Sequence, residues 1–63
     1  MYAKIIFKND KRVEVEKLQE IYVGCSRVDA PYDNLLVPGV ALTFVGDITI
    51  CCASDDVLLV VIK

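Results

Sequence analysis

Any chemistry performed by this chain must come from a short set of residues: Cys25, Cys51 and Cys52, the pair Asp55-Asp56, and Tyr32-Asp33. A zinc centre takes four ligands, or three with an open position, from cysteine, histidine and carboxylate. The chain holds three cysteines and no histidine. Adjacent cysteines on a strand point to opposite faces, so Cys51 and Cys52 do not easily share one metal. A metal would need Cys25, one of the pair, and Asp55 or Asp56. A redox dithiol calls for Cys-x-x-Cys beside a helix start, and ITICCASDD offers neither. The simpler reading makes Cys51 and Cys52 small apolar residues of a buried strand. Asp55-Asp56, following Ser54, reads as ordinary turn chemistry at a wet hairpin tip. Catalytic carboxylates need a cleft that raises a pKa, and a calcium loop needs further oxygen ligands that are missing.

Without histidine, Ser-His and Cys-His catalysis within one chain is excluded. The three glycines are isolated, so no phosphate-cradling loop exists. Tyr32 reads as a contact residue in a loop. No catalytic residue, metal or cofactor is expected, and the chain reads as a non-enzyme.

The elements that position these residues must fit within 63 residues, which is one domain near the lower limit for a self-sufficient core. Hydrophobic residues make up 56% of the chain, above the usual share. A small body has little interior, so some of that apolar material lies at the surface. Nine acids against seven bases give a net charge of −2, the wrong sign for a nucleic-acid footprint. The longest unbroken apolar run, Val57 to Ile62, is far short of the roughly 20 residues that span a bilayer. MYAKIIFK lacks the apolar core and cleavage site of a secretory signal, and three cysteines are no disulfide framework. The expectation is a soluble cytoplasmic protein with reduced thiols and no membrane partner.

Alternation sets Ala3, Ile5 and Phe7 against Lys4, Ile6 and Lys8, and Val13 and Val15 against Arg12, Glu14 and Glu16. A three-residue loop Asn9-Asp10-Lys11 would pair Phe7 with Val13, Ile5 with Val15 and Lys4 with Glu16. The second strand then runs to about Leu18, Gln19-Glu20 turns, and Ile21 to Cys25 returns. A short helix near 14–23 is the alternative, since Val15, Leu18, Ile21 and Tyr22 are near-helically spaced. Residues 27–39 form a long irregular segment punctuated by Pro31 and Pro38, a lid or a binding loop. A meander over 40–62 follows. In it a two-residue Gly46-Asp47 turn sets Phe44 opposite Thr49 and Leu42 opposite Cys51, and Val45 and Thr43 opposite Ile48 and Ile50.

The architecture expected is all-β: five or six strands in an antiparallel meander or SH3-like barrel, arranged as hairpin 2–18, loop 27–39 and three-stranded meander 40–62. The last strand is apolar on both faces, which calls for a covering layer. The loop could supply it through Leu35, Leu36 and Val37; so could a second copy or a foreign protein.

YAKIIFKNDKRVEVE resembles the first hairpin of many short proteins encoded by phages and mobile elements of bacteria. The resemblance covers about a quarter of the chain, and no functional residue carries over from it. It implies a non-catalytic protein that works by binding, for instance an inhibitor of a host enzyme or of an antiviral nuclease. Glu14, Glu16, Glu20, Asp29 and Asp33 fit the acidic surface such inhibitors often use. The leading reading is therefore a protein-interaction module. Its contact residues are Arg27, Asp29, Tyr32, Asp33 and Asn34 in the loop, beside an apolar patch on the last strand. A self-assembling subunit, a homodimer or larger, is the second reading. A nucleic-acid-binding barrel using Lys4, Lys8, Lys11 and Arg12 with Tyr2 for stacking is the third. It is disfavoured by Glu14 and Glu16 among those bases.

Overall fold

A computed structural model describes residues 1–29, 32 and 35–63. The described chain is all-β. Its seven strands are β1 (Ala3–Phe7), β2 (Arg12–Val15), β3 (Glu20–Val23), β4 (Ser26–Val28), β5 (Ala41–Val45), β6 (Thr49–Ala53) and β7 (Val57–Ile62). They form two antiparallel sheets, a three-stranded one ordered β2-β1-β7 and a four-stranded one ordered β4-β3-β5-β6. The apolar faces of both sheets meet in one core: Ala3, Ile5, Val15 and Val57 from the first, Ile21, Leu42 and Phe44 from the second, with Leu18 and Leu35 from the connections.

No ladder joins the two sheets among the described residues, so the expected closed barrel does not form. Two crossings explain this. After Val15 the chain turns at Glu16-Lys17 and leaves for the other sheet, with Leu18 buried at the corner. Its backbone N–H donates to the Met1 carbonyl (2.8 Å), and that of Gln19 to the Val45 carbonyl (2.8 Å). The second strand therefore stops three residues earlier than expected, and β3 pairs with β4 and β5 instead of with β2. The alternative helix near 14–23 gives way to strand, turn and strand, because Val15, Leu18 and Ile21 each serve a different surface of the core.

The second crossing is a 3₁₀ turn, Ser54–Asp56, that carries the chain from β6 to β7. β7 then pairs with β1, so the expected 40–62 meander ends after its first hairpin. Ser54 is buried, and its hydroxyl donates to the Val37 carbonyl (2.6 Å) and accepts from the Val40 N–H (3.3 Å). Gly39 lies between them at φ +78°, the left-handed value that a glycine after proline takes in a type II turn. Ser54 is thus a clamp on the Pro38-Gly39 turn and does not sit at a wet hairpin tip.

The first hairpin has the expected faces in a different register. Ala3 pairs with Val15, Lys4 with Glu14 and Ile5 with Val13, and the loop is Lys8-Asn9-Asp10. Each partner is shifted by two residues, which leaves every side chain on its own face. The β5–β6 hairpin is shifted by one: Phe44 pairs with Ile50, Leu42 with Cys52 and Thr43 with Cys51, around the three-residue loop Gly46-Asp47-Ile48. A one-residue shift reverses the strand. Ile50 and Cys52 turn inward and Cys51 outward. The cause is tertiary. A Cβ on Gly46 would lie 2.6 Å from Val15 Cγ1 and 2.7 Å from the Lys17 carbonyl oxygen, so the glycine is required for close approach to the corner after β2.

Candidate functional site

β7 is an edge strand among the described residues. Phe7 pairs with Val57 and Ile6 with Leu59, leaving Leu58 as the extra residue of a β-bulge. The bulge switches parity, so Val57, Val60 and Ile62 face the core while Leu59 and Val61 turn outward beside Ile6 and Lys4. Leu58 is left 54% exposed and Leu59 39%. Six apolar residues without charge or proline make an edge that proteins ordinarily blunt.

The described residues of the loop cover only part of this surface. Leu35 is buried in the core, but Leu36 and Val37 are exposed. Tyr32, Leu35, Leu36, Leu59 and Val60 line a groove of about 230 Å³. Leu36, Leu58 and Leu59 thus remain outside, an apolar surface of the kind that marks interaction sites.

The residues expected to contact a partner do not share one setting. Arg27 lies on β4, in line with Tyr22, and its guanidinium pairs with Glu20 (3.8 Å) and Asp29 (3.6 Å). The Tyr22 hydroxyl donates to the same Glu20 carboxylate (2.7 Å). That bond, before burial and the Glu20 charge, raises the Tyr22 pKa, with Arg27 opposing. Arg27 and Asp29 therefore belong to an exposed polar cluster on the outer face of the larger sheet, where such pairs add little stability. Tyr32 is half-buried and packed against the core, so it is in part a structural residue. Asp33 and Asn34 lie outside the described residues.

The cysteines separate as adjacent strand residues must, but only one is inside. Cys52 is half-buried opposite Leu42, while Cys51 and Cys25 are exposed. The reading of Cys51 as a buried strand residue is corrected by the one-residue shift of β6. Burial pushes the Cys52 thiol pKa up, with smaller contributions from Cys51 and Asp56. Among the described residues no three of Cys, Asp and Glu converge in a geometry that could hold a metal ion, and no helix is long and apolar enough to cross a membrane.

A second groove, of about 620 Å³, was not anticipated. It sits at the tip of the first hairpin, with Phe7 and Val13 as its half-buried floor. Lys8, Lys11 and Arg12 line it, with Asp56 as the single acid among the described residues. Its signal in the sequence is KNDKR, and the grouping of those bases with Lys4 and Tyr2 does not hold. Lys4 is opposite Glu14, and the Tyr2 hydroxyl donates to Glu14, at the far end of β1. Comparison of the chain with protein-family models, curated proteins and solved structures finds no match.

Proposed function

We propose that this protein is a non-catalytic interaction module that binds another protein through the apolar surface of β7 and the neighbouring Leu36. The observation that supports it is the exposure of Leu58 and Leu59 on an unbroken run of apolar residues at a sheet edge. Covering such a surface removes leucine area from water at about 25 cal/mol per Å², and an edge adds backbone donors and acceptors for a partner's strand. The likeness of the first hairpin to phage and mobile-element proteins favours an inhibitor of a host enzyme or defence protein, working in the cytoplasm. A second reading, self-assembly, draws on the same edge, because a two-fold partner strand would cover it equally well.

The test is solution mass by light scattering over a hundredfold range of concentration, for the wild type and Leu59→Glu, followed by affinity capture with both. A dimer dispersed by Leu59→Glu supports self-assembly; a monomer that captures a protein lost in the variant supports the foreign partner. A monomer whose captured proteins are the same in both forms ends the proposal.

A further inference from the structure

The groove at the tip of the first hairpin is remote in chemistry from the β7 surface. Three of the seven basic residues of a net-negative chain line it, and among the described residues only Asp56 opposes them. Lys8, Lys11 and Arg12 are all exposed, and none forms an ion pair among the described residues. Beneath them Phe7 and Val13 extend the inward face of the β1–β2 hairpin beyond its last buried pair, leaving apolar surface half open to water. Its size lies within the range of pockets that hold organic ligands.

We propose that this groove binds an acidic segment of a protein partner, seating an apolar side chain on Phe7 and Val13 with its carboxylates among Lys8, Lys11 and Arg12. Charge complementarity selects the sign of the occupant, and the apolar floor selects its body. A compact inorganic anion would leave Phe7 and Val13 unused. A nucleic-acid strand would carry its phosphates past the groove, towards Asp10 in the turn and Glu14 along β2. A peptide can confine its acids to the three cations. The proposal shares with the preceding one the premise of a protein partner but uses a different surface.

The probe is a capped peptide in which four glutamates flank one leucine and one phenylalanine, titrated into isotopically labelled protein at low salt. Saturable amide shifts are expected at residues 7–13 and 56. Affinity should fall at least about tenfold when the glutamates are replaced by glutamine, and likewise for the Lys8→Gln/Lys11→Gln/Arg12→Gln variant. Leu59→Asn, which removes the apolar side chain of β7 without adding charge to the row that Leu59 shares with Ile6 and Arg12, should leave it unchanged, so loss of the β7 reading does not touch this one. If the triple variant fails to fold, the glutamine peptide on wild-type protein still decides. Absence of binding, binding indifferent to peptide charge, or shifts elsewhere on the surface overturns the proposal. Tighter binding of oligothymidylate at the same residues would replace the peptide with a nucleic acid.

Discussion

The β1–β2 and β5–β6 hairpins are both closed by three residues, but different forces set their registers. In Lys8-Asn9-Asp10 the closure is local apart from one bond, from the Lys8 N–H to the Asp56 carbonyl (2.9 Å). Asp10 takes φ +68°, its N–H donates to the Phe7 carbonyl (3.0 Å), and the Phe7 N–H donates to the Lys11 carbonyl (2.8 Å). These are the bonds of a type I turn followed by a left-handed residue. In Gly46-Asp47-Ile48 the loop is fixed against another element. The Asp47 carboxylate accepts the Glu16 N–H (3.1 Å), and Gly46 lies against Val15 and Lys17. One hairpin could be specified by its own residues; the other needs the corner after β2 to be in place.

The largest loss is expected at Phe44, the bulkiest fully buried side chain. Phe44 is fully buried, whereas Phe7 is only half-buried on the floor of its groove. Phe44→Ala should destabilise by about 3–5 kcal/mol, and Phe7→Ala by about 1–3 kcal/mol, measured by urea denaturation. Equal losses would mean that Phe7 is packed as tightly as Phe44.

Next in size is Gly46→Ala. The new methyl group meets Val15 Cγ1, which has little room to move, and the Lys17 carbonyl, which is backbone. A loss of about 1–3 kcal/mol is expected. A loss below about 0.5 kcal/mol would show that the loop can lift away from the corner, and the tertiary account of its register would fail. The counterpart in the first hairpin has the opposite sign. Asp10→Gly relieves a left-handed backbone at a position fixed only locally, so a gain of up to about 1 kcal/mol is expected. Destabilisation would mean that the Asp10 side chain has a role its backbone does not reveal.

The same contrast explains what was legible in the sequence. Along β1 and β2, Lys4, Arg12 and Glu14 mark the wet face, so the inward set of Ala3, Ile5, Val13 and Val15 is legible even though the loop falls one residue earlier than the sequence suggests. Along β5 and β6 no charge marks either face. The turn then decided the reading, and Gly46-Asp47 resembles a two-residue turn because the reason for the glycine lies at Val15 and Lys17. β7 carries no period at all, so neither its pairing with β1 nor the bulge at Leu58 was encoded in alternation. The all-β class, the Lys4–Ile6 outer face and the apolar excess were legible. The exposed position of Leu59, the half-core position of Tyr32 and the groove over Phe7 depend on which sheet each strand joins.

The adjacent cysteines offer the gentlest discrimination, since a chemical probe reads the register of β6 without altering the fold. With Thr43 opposite Cys51 and Leu42 opposite Cys52, the first thiol is on the outer face and the second on the inner one. Thiolate is the reactive form. The burial-raised pKa of Cys52 lowers its thiolate fraction at any given pH, in addition to restricting access. At pH 8, iodoacetamide should therefore label Cys51 and Cys25 ahead of Cys52, by about tenfold or more. The Cys52 rate should climb further with pH before levelling. The linked stability has a definite sign: the native thiol holds its proton more tightly than the unfolded one, so its contribution is complete below about pH 8.5. It is lost as pH rises through the native value. Peptide mapping after timed labelling gives the order. Cys52 ahead of Cys51 would restore the two-residue turn, put Cys51 opposite Leu42, and remove the close contact of Gly46 with the β2 corner as the determinant of this hairpin.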